Sequence, residues 1–224
     1  MVLIMPTVST SPGAPTRLTF DAAQACRQLT AIDPVLGGVI QRVGAYAPHN
    51  DGAEDAFHRL LRAVIYQQLS GHAAAAIHAR VLAALNAGDA PGPAAIDAAS
   101  ESLLREAGLS ASKARCVKAL ARASLDGRLP AEDTLPTLDD ATLIDRYSQI
   151  RGIGRWTVEM LLIFHLGRPD VMPSGDLGVR KGYALTYQLD DLPKPKQLEQ
   201  LCECWRPYRS VGSWYMWRAL ELTE

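Results

Sequence analysis

The sequence predicts an all-α protein. After residue 16, apolar residues recur at helical spacing through most of the chain, and no long segment alternates apolar and polar residues with a period of two. The interruptions carry Gly, Pro, Ser or Asp, which are typical of helix ends and turns. We therefore divide the chain into a loose N-terminal arm, residues 1–16, and a helical domain, residues 17–224.

Composition excludes several classes of protein. The 224 residues are 48% hydrophobic and 21% charged, as in average soluble globular proteins, so a disordered, collagenous or coiled-coil chain is ruled out. The net charge of −1 indicates that any nucleic-acid binding must depend on local geometry. The spacing of the four cysteines matches neither an iron–sulfur nor a zinc motif and indicates reduced thiols. Without a signal peptide or a membrane-spanning segment in the sequence, we expect a cytoplasmic protein that makes no membrane contact.

The first half of the chain is predicted to contain helices with recognisable ends. An amphipathic helix covers 53–69 and is broken by Ser70 and Gly71, and an Ala-rich helix then runs to about Leu85. Ser100 caps a short helix that ends at Gly108, and Ser110 caps another that continues through Leu125.

A glycine hairpin between two helices is the most distinctive local pattern. A helix starts after Thr137, Gly152-Ile153-Gly154 follows, and a second apolar-striped helix ends at Gly167. Glycine allows positive φ and close backbone approach, so such a hairpin presents amides that can bind a phosphate. Taken alone, the pattern is more often an ordinary pair of antiparallel helices.

The last part of the chain contains a loop, further helices and most of the aromatic residues. Segment 168–175 brings Asp176 to the start of a helix, and the last two helices are predicted at 196–205 and 209–222. Ten of the fourteen aromatic residues lie after residue 146, so this half is the better place for a pocket that binds by stacking, although most of these rings could be core. Trp217 is expected to be one of the core rings.

Four segments together resemble the helix-hairpin-helix DNA glycosylase superfamily, specifically its 3-methyladenine DNA glycosylase II branch. They are IRGIGRWTVEMLLIF (150–164), VMPSGDLGVRKG (171–182), YQQLSGHAAA (66–75) and WRPYRS (205–210). The resemblance covers roughly residues 20–222. It implies two helical subdomains with the active-site cleft between them, and a helix-hairpin-helix at about 138–166. The chain departs from full-length relatives because it has too few residues before its helical body for their N-terminal α/β domain, and it carries Arg151 where many have proline.

The implied activity is that of a monofunctional DNA glycosylase, which flips alkylated bases out of double-stranded DNA and hydrolyses the N-glycosidic bond to initiate base excision repair. The implied partner is double-stranded DNA with alkylated bases, so we expect a monomer that associates with the nucleoid when it acts on DNA. Two alternatives stay open: a non-catalytic helix-hairpin-helix DNA-binding module, and a helical interaction scaffold that does not bind DNA.

Asp176 is the expected catalytic residue. Breaking an N-glycosidic bond leaves positive charge on the sugar, and a fixed carboxylate stabilises that charge and orients or deprotonates the attacking water. An alkylated base is already a good leaving group, so no strong general acid is required. The simpler interpretation is that Asp176 only caps the helix that follows; the hairpin twenty residues earlier favours catalysis.

Further roles follow from the resemblance and from side-chain chemistry. Trp156 takes the position of the catalytic lysine in bifunctional relatives, and it can stack on a cationic base but cannot form a Schiff base. Met160 stands where the family can present an aromatic ring, and Tyr208 and Trp214 are the other expected pocket residues. Gln68, with Gln67 beside it, is expected to fill the gap that a flipped nucleotide leaves.

The remaining expectations concern the DNA backbone and cofactors. The predicted phosphate contacts come from Gly152, Ile153, Gly154, Arg155 and Thr157. No organic cofactor is required. The resemblance also implies a possible structural Na⁺ or K⁺ at the backbone carbonyls of Ser148, Ile150 and Ile153.

Overall fold

The computed structural model describes residues 18–48, 55–85 and 91–222. Over these ranges the chain forms helices and connecting loops without a strand, so the all-α prediction is confirmed. No helix within them has the length and apolar character needed to cross a bilayer. The described chain divides into two compact units: unit 1 contains residues 18–48 and 162–222, and unit 2 contains residues 55–85 and 91–161. The predicted arm, residues 1–16, lies outside the described residues.

Unit 1 is built on five helices, and the closest contact among them is between α10 and α12. The helices are α1 (Ala22–Ile32), α2 (Pro34–Val43), α10 (Leu177–Thr186), α11 (Pro195–Leu201) and α12 (Arg209–Glu221). A Cβ added to Gly182 of α10 would lie 2.0 Å from the Met216 carbonyl oxygen of α12, so only glycine permits this approach. Asp33 caps α2 and also accepts hydrogen bonds from the Trp205 indole and the Tyr187 hydroxyl, which ties three segments together.

Unit 2 holds the helices on either side of the predicted hairpin. They are α3 (Ala56–Tyr66), α4 (Gly71–Leu85), α5 (Pro93–Ala98), α6 (Glu101–Glu106), α7 (Ala111–Leu125), α8 (Asp140–Ser148) and α9 (Arg155–Phe164), the last of which carries the chain into unit 1. Ser100 and Ser110 cap α6 and α7 as predicted, since their hydroxyl oxygens accept from the amides of Leu103 and Lys113. The helix-hairpin-helix is therefore present as α8, residues 149–154 and α9.

The structure corrects several predicted helix ends. Helix α3 stops at Tyr66 rather than at Leu69, because Gln68 adopts a left-handed φ of +59° that a helix cannot continue. Gly71 begins α4 instead of breaking a helix, and the Ser70 hydroxyl accepts from the Ala73 amide at 3.4 Å.

Two other predicted segments also differ from the structure. Asp139 caps α8, and the Pro-containing link before it forms a 3₁₀ helix at Glu132–Thr137. The predicted helix 196–205 divides into α11 and a 3₁₀ turn at Glu203–Trp205.

Candidate DNA-binding and catalytic site

The hairpin between α8 and α9 is closed by two successive turns. The Ile150 amide donates to the Tyr147 carbonyl at 3.1 Å, and the Ile153 amide donates to the Ile150 carbonyl at 3.0 Å. Both isoleucine side chains are buried, whereas Gly152 and Gly154 are exposed. The apolar residue between the glycines thus anchors the hairpin and leaves glycine backbone at the surface, which is the geometry needed for amides to reach a phosphate.

The two hairpin glycines serve different purposes. Gly152 has a φ of +95°, and a Cβ there would lie 2.7 Å from the Cys116 sulfur of α7. Burial raises the pKa of the Cys116 thiol to about 11, so the neutral thiol is a packing group. Gly154 has nothing within 4 Å of its Cβ position and begins the exposed edge of the hairpin. Gly152 is therefore required for the close packing of the hairpin against α7, whereas the surface at Gly154 is open to a ligand.

The two residues predicted to extend the phosphate site differ in exposure. The Arg155 side chain is 67% exposed, although its Nε also donates to Glu159 at 2.8 Å. Thr157 departs from the expectation because it is 4% exposed, its amide donates to the Gly154 carbonyl, and its hydroxyl accepts from Gln67 Nε2 at 3.4 Å. Thr157 thus supports the first turn of α9 from inside.

Gln67 and Gln68 form a turn after α3, and their side chains have different surroundings. Gln68 is exposed, while Gln67 is half-buried and uses its amide on Thr157. The Gln68 side chain is therefore accessible to a duplex, whereas the Gln67 side-chain amide is engaged with helix α9. The wedge roles of Gln68 and Gln67 both stay predictions, and the contact with Thr157 shows that Gln67 also supports helix α9.

Trp156 and Met160 lie one helical turn apart on α9. Residues at i and i+4 share a helix face, and both side chains are half-buried. The structure therefore brings these two predicted pocket residues together as neighbours.

Asp176 caps α10 and is 5% exposed. Its Oδ1 accepts from the Val179 amide at 2.8 Å and from Trp217 Nε1 at 2.8 Å. The preceding loop is held by a hydrogen bond from Ser174 Oγ to Glu199 at 2.7 Å. Capping and catalysis are therefore not exclusive, because the cap and the indole hold the carboxylate in one orientation, as electrostatic stabilisation of a cation requires.

Trp217 is a residue of the candidate site that the sequence analysis does not identify. It was expected to be core, and it is buried, yet its indole N–H is aimed at Asp176. A Cβ at Gly178 would lie 2.8 Å from Trp217 Cδ1, so α10 must carry glycine here for the indole to reach the carboxylate. The available signal was the pair Gly178 and Gly182, four residues apart, which marks the α10 face that another helix approaches closely.

Tyr208 and Trp214 lie in one aromatic cluster of unit 1. The Tyr208 ring is 5.8 Å from Phe20, and the buried Trp214 ring is 5.1 Å from Tyr46 and 4.9 Å from Tyr215 in edge-on contacts. These contacts account for both rings as packing groups. Their pocket role stays a prediction.

Comparison with known proteins identifies the family of this chain. The family described as "HhH-GPD superfamily base excision DNA repair protein" matches residues 61–207. The chain is 36% identical over 197 residues to DNA-3-methyladenine glycosylase 1 of Schizosaccharomyces pombe, covering 88% of this chain and 86% of that protein.

Two solved structures are also similar. One is a Schizosaccharomyces pombe 3-methyladenine DNA glycosylase in complex with abasic DNA, with 37% identity, a TM-score of 0.80, and coverage of 87% of this chain and 95% of the other. The second is a DNA-3-methyladenine glycosidase from Bacillus halodurans, with 30% identity, a TM-score of 0.78, and coverage of 87% and 88%.

Proposed function

This chain belongs to the HhH-GPD superfamily of base excision DNA repair proteins, and from that membership we propose that it is a DNA glycosylase that excises alkylated bases of the 3-methyladenine type from double-stranded DNA. The observation that carries the proposal is Asp176, a buried carboxylate with one oxygen fixed by a helix amide and an indole N–H. Asp33 combines a helix cap and an indole partner in the same way in a structural role, so the position of Asp176 after the hairpin, in the motif that resembles the family, distinguishes it as the catalytic candidate.

Asp176 stabilises the developing sugar cation. The bond between C1′ and the base nitrogen breaks, and its electron pair leaves with the base, which an alkyl group has already made cationic. Water adds to C1′ and loses a proton, so the products are the free base and an abasic sugar. A fixed carboxylate assists both steps, by attracting the positive charge and by orienting or accepting a proton from water.

Substrate recognition is assigned to the half-buried face of α9 that carries Trp156 and Met160. Trp156 and Met160 offer a π face and a polarisable thioether to an electron-poor base, and both attract a cationic ring better than a neutral one. Base flipping brings the base out of the duplex, and Gln68 fills the gap and hydrogen-bonds the unpaired partner. Phosphate binding is assigned to the amides at Gly152 and Gly154 and to the exposed Arg155, whereas the amide of Ile153 already donates to the Ile150 carbonyl and closes the hairpin. Such local contacts let a chain of net charge −1 bind DNA.

The enzyme is proposed to lack lyase activity, because position 156 is a tryptophan and supplies no amine to attack C1′. The product is then an intact abasic strand, which is cut only after alkali or heat. Borohydride should trap no covalent complex with damaged DNA. A trapped adduct would contradict this and direct attention to another lysine, such as Lys181.

The protein is also proposed to act as a monomer without an organic cofactor. A monovalent cation suits the hairpin carbonyls of Ser148, Ile150 and Ile153, because carbonyl oxygens are hard ligands and each has two lone pairs. One lone pair of the Ile150 carbonyl accepts the hydrogen bond from the Ile153 amide, and the other can bind a cation. Replacing K⁺ by a bulky organic cation at constant ionic strength should weaken duplex binding if the cation is bound.

The deciding experiment incubates the protein with duplexes that each carry one lesion and identifies released bases by mass. The panel contains 3-methyladenine, 7-methylguanine, ethenoadenine, methylated pyrimidines and hypoxanthine. Release of at least one alkylated base supports the proposal. Salt-sensitive duplex binding without release would favour the non-catalytic module, and an absence of duplex binding would favour the scaffold.

A further inference from the structure

The carboxyl end of α3 is held by an ammonium group from another helix. The last carbonyls of a helix have no partner within the helix, and cations stabilise that end. Lys113 of α7 donates from Nζ to the Ile65 carbonyl at 2.7 Å and to the Gln67 carbonyl at 2.7 Å. Lys113 is half-buried, and burial lowers the pKa of its ammonium group, because the charged form loses water there.

The second of these hydrogen bonds acts on the peptide group that precedes Gln68. That carbonyl belongs to the plane joining Gln67 to Gln68, so fixing its direction constrains the φ of Gln68. Gln68 has a φ of +59°. Residues other than glycine rarely adopt this conformation, and it persists only where the surrounding structure enforces it. The ammonium group of Lys113 is such an enforcing contact, and the hydrogen bond from Gln67 to Thr157 is a second one.

The same helix also supports the hairpin. Cys116 follows Lys113 by three residues on α7, so the two residues share a helix face, and its sulfur sets the close contact with Gly152. Helix α7 therefore contacts both turns to which DNA binding is assigned.

We infer that Lys113 is a positioning residue for base flipping, which holds the Gln67–Gln68 turn in the conformation that presents Gln68 to the duplex. The inference rests on the proposed function, in which Gln68 is the wedge. Lys113 itself need not touch DNA. Its effect on excision passes through the backbone of the turn, so removing Lys113 should matter most for lesions that are well paired and hard to flip.

Helix α7 supplies a matched control. Lys118 donates from Nζ to the Asp97 and Ala99 carbonyls at 2.6 and 2.5 Å and so supports the end of α5 as Lys113 supports the end of α3. Ser100, which follows the Ala99 carbonyl as Gln68 follows the Gln67 carbonyl, has an ordinary φ of −71°. Lys113→Met and Lys118→Met each remove two hydrogen bonds from α7 to helix-end carbonyls. Only Lys113→Met removes a contact that constrains a residue with left-handed φ, Gln68.

The experiment compares single-turnover excision of a released base when the lesion lies opposite a normal base and when it lies opposite an abasic position. Lys113→Met should slow the paired substrate by about tenfold more than the unpaired one, the scale of losing part of the flipping energy. Lys118→Met should slow both by the same small factor. Lys113→Gln, which keeps an amide donor and is the milder change if Lys113→Met folds poorly, should fall between Lys113→Met and wild type.

A second readout tests whether Lys113 acts through Gln68. Gln68→Ala should reduce excision of the paired lesion in the wild-type background and cause little further loss in Lys113→Met, because residues that act as a unit are not additive. Equal ratios of paired to unpaired rates in the Lys113 and Lys118 variants, or fully additive losses, would overturn the inference. A wild-type protein that releases no base would instead overturn the proposed function.

Discussion

Two helix ends, one in each unit, are proposed to do different work and are built in different ways. Asp176 begins α10 in unit 1, and its side chain accepts the amide of Val179, three residues on. The Gln67–Gln68 turn ends α3 in unit 2, and its carbonyls are held by Lys113, which is 46 residues away from Gln67 in the chain. The first end is largely defined by neighbouring residues, whereas the second depends on a distant side chain.

This difference matches the tasks assigned to the two ends. A carboxylate that stabilises a transition state must be fixed before the substrate arrives, and burial with two short hydrogen bonds provides that. A side chain that enters a duplex must be exposed, so it cannot be fixed by burial. Its backbone has to be fixed instead, and the left-handed Gln68 shows that the turn is held away from its preferred conformation.

The largest expected effect comes from Asp176→Asn. The amide keeps an oxygen to accept from Val179 and Trp217, so the cap and shape persist while the charge is lost. Excision should fall by roughly 10²–10³-fold, as for the loss of one electrostatic stabiliser in other enzymes. Affinity for damaged duplex should stay near wild type or rise, because a negative charge near phosphates is removed. Single-turnover rates, duplex affinity and melting temperature provide the measurements.

Asp21→Asn is the control for this prediction. Asp21 caps α1 in the same unit and accepts the Gln24 amide at 2.9 Å, but no catalytic role is assigned to it. The control should leave excision unchanged. If Asp176→Asn retains more than about a tenth of the wild-type rate, Asp176 contributes as a cap only.

The contrast between the two ends also explains how much the sequence could predict. The N-caps at Ser100, Ser110 and Asp176 were readable because a cap and its amide are three residues apart. The hairpin was readable because its glycines and buried isoleucine are consecutive. The four segments that resemble the glycosylase family predict the catalytic role of Asp176, which its position and residue type alone do not.

What the sequence did not show depends on distant contacts. The end of α3 was placed three residues late because the apolar stripe continues to Leu69, and nothing nearby indicates that Lys113 stabilises an earlier end. Thr157 was expected at the phosphates because it opens α9, but its burial is decided by packing that periodicity does not reveal. The sequence predicts a core position for Trp217, and Trp217 is buried, but its indole also donates to Asp176, which the apolar pattern does not reveal.

The second largest effect is expected for Gly154→Asp. The position is open, with nothing within 4 Å of its Cβ site, so the fold should persist while a carboxylate stands where a phosphate is proposed to bind. Hydrogen bonds to charged groups contribute about 1.5–3 kcal/mol, so affinity should fall roughly tenfold to a hundredfold. The loss should be the same for damaged and undamaged duplex, because phosphate contacts carry no sequence information.

The control is Gly38→Asp, which places the same charge at another open and exposed glycine, on α2 in unit 1. Its duplex affinity should stay near wild type. Equal affinities for the two variants would mean that the amides at Gly154 do not face the DNA backbone.

A smaller effect, on stability, separates the two hairpin glycines. Gly152→Ala forces a Cβ to 2.7 Å from the Cys116 sulfur at a φ of +95°, and we expect a loss of about 1–3 kcal/mol in the free energy of unfolding. Gly154→Ala meets no atom and should change it by less than about 0.5 kcal/mol. Chemical denaturation measures both. If the two variants are equally stable, α7 does not constrain the hairpin through Cys116.

The smallest effect tests whether the left-handed conformation of Gln68 lowers stability and whether its side chain is needed for excision. Gln68→Ala and Gln68→Gly both remove the side-chain amide, but only glycine adopts a φ of +59° without strain. A non-glycine residue in this region costs roughly 1–2 kcal/mol, and glycine loses about 0.5–1 kcal/mol in unfolded-chain entropy, so Gln68→Gly should unfold with a free energy higher than Gln68→Ala by up to about 1 kcal/mol. Both variants should excise paired lesions more slowly than wild type, since neither can fill the vacated stack. Gln68→Gly is then more stable than Gln68→Ala without being more active, which indicates that the left-handed conformation of Gln68 lowers stability. If Gln68→Gly excises a paired lesion as fast as wild type, the side chain is not the wedge, whatever the stability measurements give.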